Sequence, residues 1–218
     1  MKQVCVIGLG QFGGHLARTL VKMGCEVLAI DMDERRVDAI RDEVHRAIIG
    51  DARDPQLLRT VITPTVAETA ISLGENNIEP SILCTLHVSR IGIKSIRSTA
   101  RNDDHAQILR AVGATEVIFP ERQTAERTAR RIANPSLRDM FPLDADYRIM
   151  EIDAPRRLFD KSLGKLDLRR EFDLLVLALR DPGSAQFRFN PGADEMIRPG
   201  QVMMVLGREL DLARFSSI

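Results

Sequence analysis

Four glycines fall within seven residues near the start of the chain. Gly8, Gly10, Gly13 and Gly14 follow directly on the apolar run VCVI, and an amphipathic stretch comes after them. Each of the first three has a separate physical use. Gly8 permits a tight turn out of a strand. Gly10 lacks a Cβ, so a phosphate can approach the backbone. Gly13 lets the following helix pack closely on the strand. Free backbone N–H groups and the positive end of that helix then face an anion. Gln11 and Phe12 complete the turn. Asp31 stands 23 residues after Gly8, at the end of a second apolar run, EVLAI. A carboxylate at that spacing suits ribose hydroxyls, and it repels a 2′-phosphate. NAD(H), ATP, ADP or AMP therefore fits better than NADP.

Further candidates follow each later strand. Asp51 and Ala52 come after the third, beside the adenosine half of such a site, although Asp51 also reads as a helix N-cap. Gly74, Glu75 and Asn76 end the fourth and point at ribose and phosphates, or form a plain turn. His105 follows Asp103-Asp104 at a helix start, where it would be solvated or phosphate-facing.

The nucleotide reads as a ligand that changes shape rather than a reactant. A dehydrogenase must move a proton as the hydride moves. The four histidines, His15, His45, His87 and His105, lie in no acid–base or metal motif, and no GxSxG, HExxH or Cys/His pairing occurs. The loop lacks the Lys-Ser/Thr of a P-loop. A small NAD-dependent oxidoreductase is the competing reading, and a nucleotide-binding module for some other partner is a third. Cys5, Cys25 and Cys84 form no CxxC pattern and read as buried reduced thiols of a cytosolic protein.

The elements that must position these residues alternate strand and helix throughout 1–119, with short connections. That pattern predicts an α/β, Rossmann-like, doubly wound parallel sheet. In the first helix, Phe12, Leu16, Leu20 and Met23 recur at helical spacing and give an apolar face. Residues 121–133 predict a charged helix with Ala125, Ala129, Ile132 and Ala133 on roughly one side. The segment NPSLRDMFPL predicts a linker with one short helix, bounded by Pro135 and Pro142. From about residue 145 strands outnumber helices, predicting a smaller α+β domain that pairs with a copy of itself. The expected division is 1–120, 121–143 and 144–218.

With 31 basic and 31 acidic residues among 218, the chain lacks the basic excess of a nucleic-acid binder. No apolar run approaches the roughly 18–20 residues of a membrane span. The first strand begins almost at Met1, leaving no room for a signal peptide.

The motifs VIGLGQFGG, VLAIDMD, GDARDP, ISLGEN, NDDHAQILRAVGATEVIFPE and FNPGADEMIRPGQVMMVLG occur in this order and span nearly the whole chain. Together they resemble the RCK proteins, the cytosolic potassium-transport regulators of the KtrA/TrkA type. The resemblance implies a homodimer joined through the 121–133 helix. It further implies a homo-octameric ring on the cytoplasmic face of a membrane potassium channel or transporter, with ATP or ADP, or NAD(H), setting the ring's shape. Matched by position, adenosine contacts fall on Asp31, Met32, Asp33, Asp51 and Ala52. Ribose and phosphate contacts fall on Gly10, Gln11, Phe12, Gly74, Glu75, Asn76, Arg101 and His105. Glu121 matches a glutamate that helps hold a divalent cation, Mg or Ca, in some members; it equally reads as a first-turn acid favoured by the helix dipole. Two positions depart from the pattern. Gln11 and Thr99 stand where relatives often carry Arg and Lys, which weakens selection of ATP over ADP, while Arg101 could partly compensate. Some relatives bind c-di-AMP between C-terminal domains, a role open to Arg169 and Arg170, which otherwise read as a solvated helix end.

Overall fold

The computed structural model describes every residue except Pro64, Glu75 and Ile218. The chain divides into two compact units, the first covering residues 1–122 and the second beginning at residue 123.

The first unit runs β1 (Gln3–Ile7), α1 (Gln11–Lys22), β2 (Glu26–Asp31), α2 (Glu34–Asp38), β3 (Arg46–Ile49), α3 (Pro55–Val61), β4 (Val66–Ile71), α4 (Ile78–Ile91), β5 (Ile96–Thr99), α5 (Asp103–Ala111) and β6 (Glu116–Ile118). Its six strands form one sheet in the order β3-β2-β1-β4-β5-β6. All five pairings are parallel. The strand order reverses between β1 and β4, and open sheets of this kind bind ligands at that switch point.

Side-chain alternation along β1 divides the core. Val4 and Val6 join Ala17, Val27, Ala29, Val37 and Ile40 on one face. Cys5 and Ile7 join Leu58, Ile71, Cys84, Val88 and Ile96 on the other. Strands buried on both faces read as continuous apolar runs, as EVLAI does. Burial raises the Cys5 and Cys84 thiols well above their ordinary range; both are free, as is the half-buried Cys25.

Helices α2, α3 and α5 start where the sequence supplies a cap. The Asp33 carboxylate accepts the Arg35 N–H at 3.0 Å, Asp54 accepts that of Gln56 at 2.8 Å, and Asn102 accepts that of His105 at 2.9 Å. The predicted apolar face of α1 needs correction in part, although Leu20 does pack against the core. Its buried residues are Gly13, Gly14 and Ala17; Phe12, Leu16 and Leu20 are half-buried and Met23 is exposed. Small residues win the sheet-facing side because the glycine loop brings the helix too close for larger ones.

Helix α6 (Pro120–Ala133) leads the chain into the second unit and buries none of its residues. There follow β7 (Leu137–Pro142), β8 (Tyr147–Asp153), α7 (Leu163–Leu166), α8 (Leu168–Phe172), β9 (Leu175–Arg180), β10 (Arg188–Phe189), β11 (Val202–Arg208) and α9 (Glu209–Ser216). Five antiparallel strands lie in the order β10-β9-β11-β8-β7. Their core includes Met150, Ile152, Leu179, Met203 and Val205, covered by Phe172 and Phe215. Those two rings meet edge to face at 5.5 Å between centroids. The segment expected to be a linker with a short helix is instead the edge strand β7. Pro142 terminates it, a position an edge tolerates because no further neighbour needs its missing N–H.

Candidate nucleotide site

The site is built at the C-terminal ends of β1, β2, β3 and β4. The chain leaves β1 through Gly8, whose φ of +91° excludes other residues. A Cβ there would collide with the Ser72 carbonyl, and one on Gly13 would collide with the Gly8 carbonyl. These two glycines are required by the fold. Gly10 differs. It caps α1 with φ −61° and ψ −168° and makes no side-chain cap bond. A Cβ built on it would meet nothing nearer than Arg36 Nη1, 4.0 Å away. The space over Gly10 is thus kept open without any packing reason, as a phosphate cradle requires.

Asp31 ends β2 with its carboxylate 6% exposed. Oδ2 accepts the Leu9 N–H at 2.6 Å and Oδ1 accepts the Asp33 N–H at 2.9 Å. Arg36 Nη1 lies 3.5 Å from Oδ2, and Arg36 Nε lies 3.6 Å from the Asp33 carboxylate. The acid therefore fixes the glycine loop from the neighbouring strand. On Oδ1 one acceptor direction is left beyond the Asp33 bond, enough for a hydroxyl.

A cleft of about 240 Å³ opens beside these groups, lined by Gly8, Asp31, Met32 and Arg36 together with Asp51, Ala52, Arg53, Ser72 and Asn77. Met32 is 68% exposed, leaving an apolar side chain at the rim. Asp51 is not the helix cap that its position allowed, since Asp54 caps α3. It grips Arg53 instead, at 2.6 Å to Nη2 and 3.0 Å to Nε. The hydrogen bonds from Arg53 hold the Asp51 carboxyl below its ordinary value.

The other candidates lie outside the cleft's lining. Gly74 (φ +86°) and Asn76 shape an exposed turn, and Glu75 lies outside the described residues. Gln11 is exposed and Phe12 half-buried at the start of α1, next to Gly10. Arg101 is exposed after β5. His105 faces inward: its Nδ1 accepts the Arg101 N–H at 3.2 Å, and its Nε2 lies 2.8 Å from Ser81 Oγ. Nδ1 being an acceptor, Nε2 carries the proton and donates it to Ser81, whose hydroxyl donates to the Ile78 carbonyl at 2.8 Å. Burial pushes the His105 pKa down, in keeping with a neutral ring. Glu121 is exposed in the first turn of α6, and no metal-ligand cluster occurs among the described residues. Sequence reasoning missed Arg36, Arg53, Ser72 and Asn77. A signal existed for Ser72: β4 pairs with β1 at Ile7 and Ile71, so the residue after Ile71 must border the turn after Ile7.

Sheet order, glycine loop and cleft define a Rossmann-like nucleotide-binding domain joined to a small antiparallel α+β unit. The TrkA-N domain model matches residues 4–120 and the TrkA-C domain model residues 147–218. The chain belongs to this family, the RCK proteins of KtrA/TrkA type. It is 33% identical over 98% of its length, and 96% of the relative's, to the Ktr system potassium uptake protein C of Bacillus subtilis (strain 168). It is 30% identical over 99% of its length, and 96% of the relative's, to the Ktr system potassium uptake protein A of the same organism. The solved GsuK channel bound to NAD shares the fold, with a TM-score of 0.52 at 18% identity over 100% of this chain, which spans 38% of that one. No helix among the described residues is long and apolar enough to cross a membrane.

Proposed function

We propose that this chain is a nucleotide-sensing regulatory subunit of a potassium uptake system. It holds an adenine nucleotide, ATP/ADP or NAD(H), in the cleft at the β1–β4 switch point and works on the cytoplasmic side of a membrane transporter. The observation that carries the reading is the open space over Gly10, framed by a loop that Asp31 holds in place. Nearly full-length likeness to two Ktr uptake proteins supports the potassium-transport assignment.

The bound group supplies an anionic phosphate chain and ribose hydroxyls for recognition. Gly10 and the start of α1 receive the anion, and Asp31 receives a hydroxyl. Met32, Asp33, Asp51 and Ala52 border the adenosine. Gln11, Phe12 and Arg101 flank the phosphate end. Of the cleft's ionisable groups, Asp31 pairs with Arg36 and Asp51 with Arg53, an arrangement for electrostatic binding rather than proton transfer. Residues 1–120 sense the ligand, α6 connects, and the segment from β7 onward forms a second assembly surface. Helix α6, with Ile132 76% exposed, joins two copies as the building block of a ring. Nucleotide identity shifts the ring only by its difference in affinity for two shapes.

Calorimetric titration of the purified chain with ADP, ATP and NADH, with native mass spectrometry of the complexes, tests the reading. Binding without consumption, accompanied by a change in the assembly's scattering profile, is expected. Indifference to all three, or sustained NADH oxidation with carbonyl substrates, would overturn it.

A further inference from the structure

Arg36 is the cation nearest the open cradle. Its Nη1 lies 4.0 Å from where a Gly10 Cβ would stand. It reaches that point from α2, outside the glycine loop, and also lines the cleft beside Gly8. The position flanking Gly10, Gln11, carries no charge, so the loop itself offers only backbone N–H groups and the end of α1. Arg36 meanwhile is loosely held. Its contacts to Asp31 and Asp33, at 3.5 and 3.6 Å, are longer than good hydrogen bonds, and its side chain is 53% exposed. Asp31 does not depend on it, having two backbone N–H partners at 2.6 and 2.9 Å.

We propose that Arg36 is a specificity-determining contact for the nucleotide's phosphates, moving from the two aspartates to the anion held at Gly10. This rests on the proposed adenine-nucleotide site and deepens it: the site then selects ligands by the phosphate chain as well as by adenosine. A guanidinium suits the task because it offers several N–H donors in a planar fork and stays charged.

The test compares ADP with adenosine by calorimetry on the full chain. Arg36→Gln should weaken ADP about tenfold, as expected for loss of a hydrogen bond to a charged group, and leave adenosine unchanged. The salt dependence of ADP binding should flatten at the same time. A second variant reads the opposite sign and guards against a folding failure in the first. Asp33→Asn keeps a good N-cap but removes a competing carboxylate, so the ratio of ADP to adenosine affinity should rise. Equal weakening of ADP and adenosine in Arg36→Gln would show that Arg36 only supports Asp31, and would overturn the proposal. Unchanged ADP affinity in Arg36→Gln, or an unchanged ratio of ADP to adenosine affinity in Asp33→Asn, would do the same. Failure of the cleft reading itself looks different, because the unsubstituted chain would then bind neither ADP nor adenosine.

Discussion

Gly10→Ala separates what the glycine loop does for the fold from what it does for a ligand. Gly10 has φ −61°, within reach of any residue, and a methyl group there has no protein neighbour closer than 4.0 Å. Replacing glycine by alanine at a compatible backbone position stabilises by about 0.4–1 kcal/mol, because the unfolded chain has less freedom to lose. For a chain of this size that corresponds to a melting rise of roughly 1–4 °C. The same methyl fills the cradle. Overpacking a formed contact costs about 1–3 kcal/mol, which is roughly a 5- to 150-fold loss of ADP affinity. Differential scanning fluorimetry of the ligand-free variant and calorimetry with ADP measure the two effects separately. Gly13→Ala is the control with the opposite signature. Its Cβ would run into the Gly8 carbonyl, backbone that cannot swing aside, so stability and binding should fall together. Unaltered ADP affinity in a normally folded Gly10→Ala variant would refute the claim that anions sit over this glycine.

Asp31→Ala removes the acceptor for the Leu9 and Asp33 N–H groups; it should lower ligand-free stability by about 2 kcal/mol or more, roughly 4–8 °C in melting temperature, and abolish adenylate binding. His105 has a folded pKa below its unfolded one, so its contribution to stability is present above the unfolded value near pH 6.5 and is lost as pH falls through the folded value. Melting temperature should therefore decline from pH 7.5 to 5.5, and His105→Gln should flatten that decline, as thermal scans across the range would show. Ile132→Asp places a charge on the exposed apolar position of α6 and should shift the assembly to smaller species in light scattering.

The parallel sheet was legible because its first three strands are short, mostly apolar runs that stop at glycine or aspartate, and because helical spacing separates the strands. The glycine loop and Asp31 were legible for the same reason: local backbone chemistry dictates both. What failed depends on tertiary placement. Strand β7 hides behind two prolines and takes its place only as the edge partner of β8. The apolar spacing of α1 pointed to Leu16 and Met23, yet the close approach enforced by Gly13 turned Gly14 and Ala17 inward. His105, beside two aspartates at a helix start, looked solvated or phosphate-facing; its ring instead bonds Ser81 on α4, a contact 24 residues away that no local pattern announces. Arg36 enters the cleft from α2 and Arg53 from the turn after β3, and no spacing rule marks either as a cleft residue.

The double duty of Asp31 constrains how a nucleotide could act as a signal. Its carboxylate already fixes Leu9 and the start of α2 before any ligand arrives. Ordering of the glycine loop therefore cannot be what distinguishes one nucleotide from another. An adenosine moiety would meet the same Asp31, Asp51 and Ala52 in ATP, ADP and NAD alike, so its contacts add affinity without adding discrimination. In the proposed reading the discriminating free energy comes from the phosphate end, at Gly10, its chain neighbour Gln11 and the Arg36 guanidinium near Gly10, where the charge of the ligand changes. A regulatory response to nucleotide identity is thus expected to be lost first by substitutions at Gln11 and Arg36, and to survive conservative changes at the adenosine side that merely lower affinity for every adenylate in parallel.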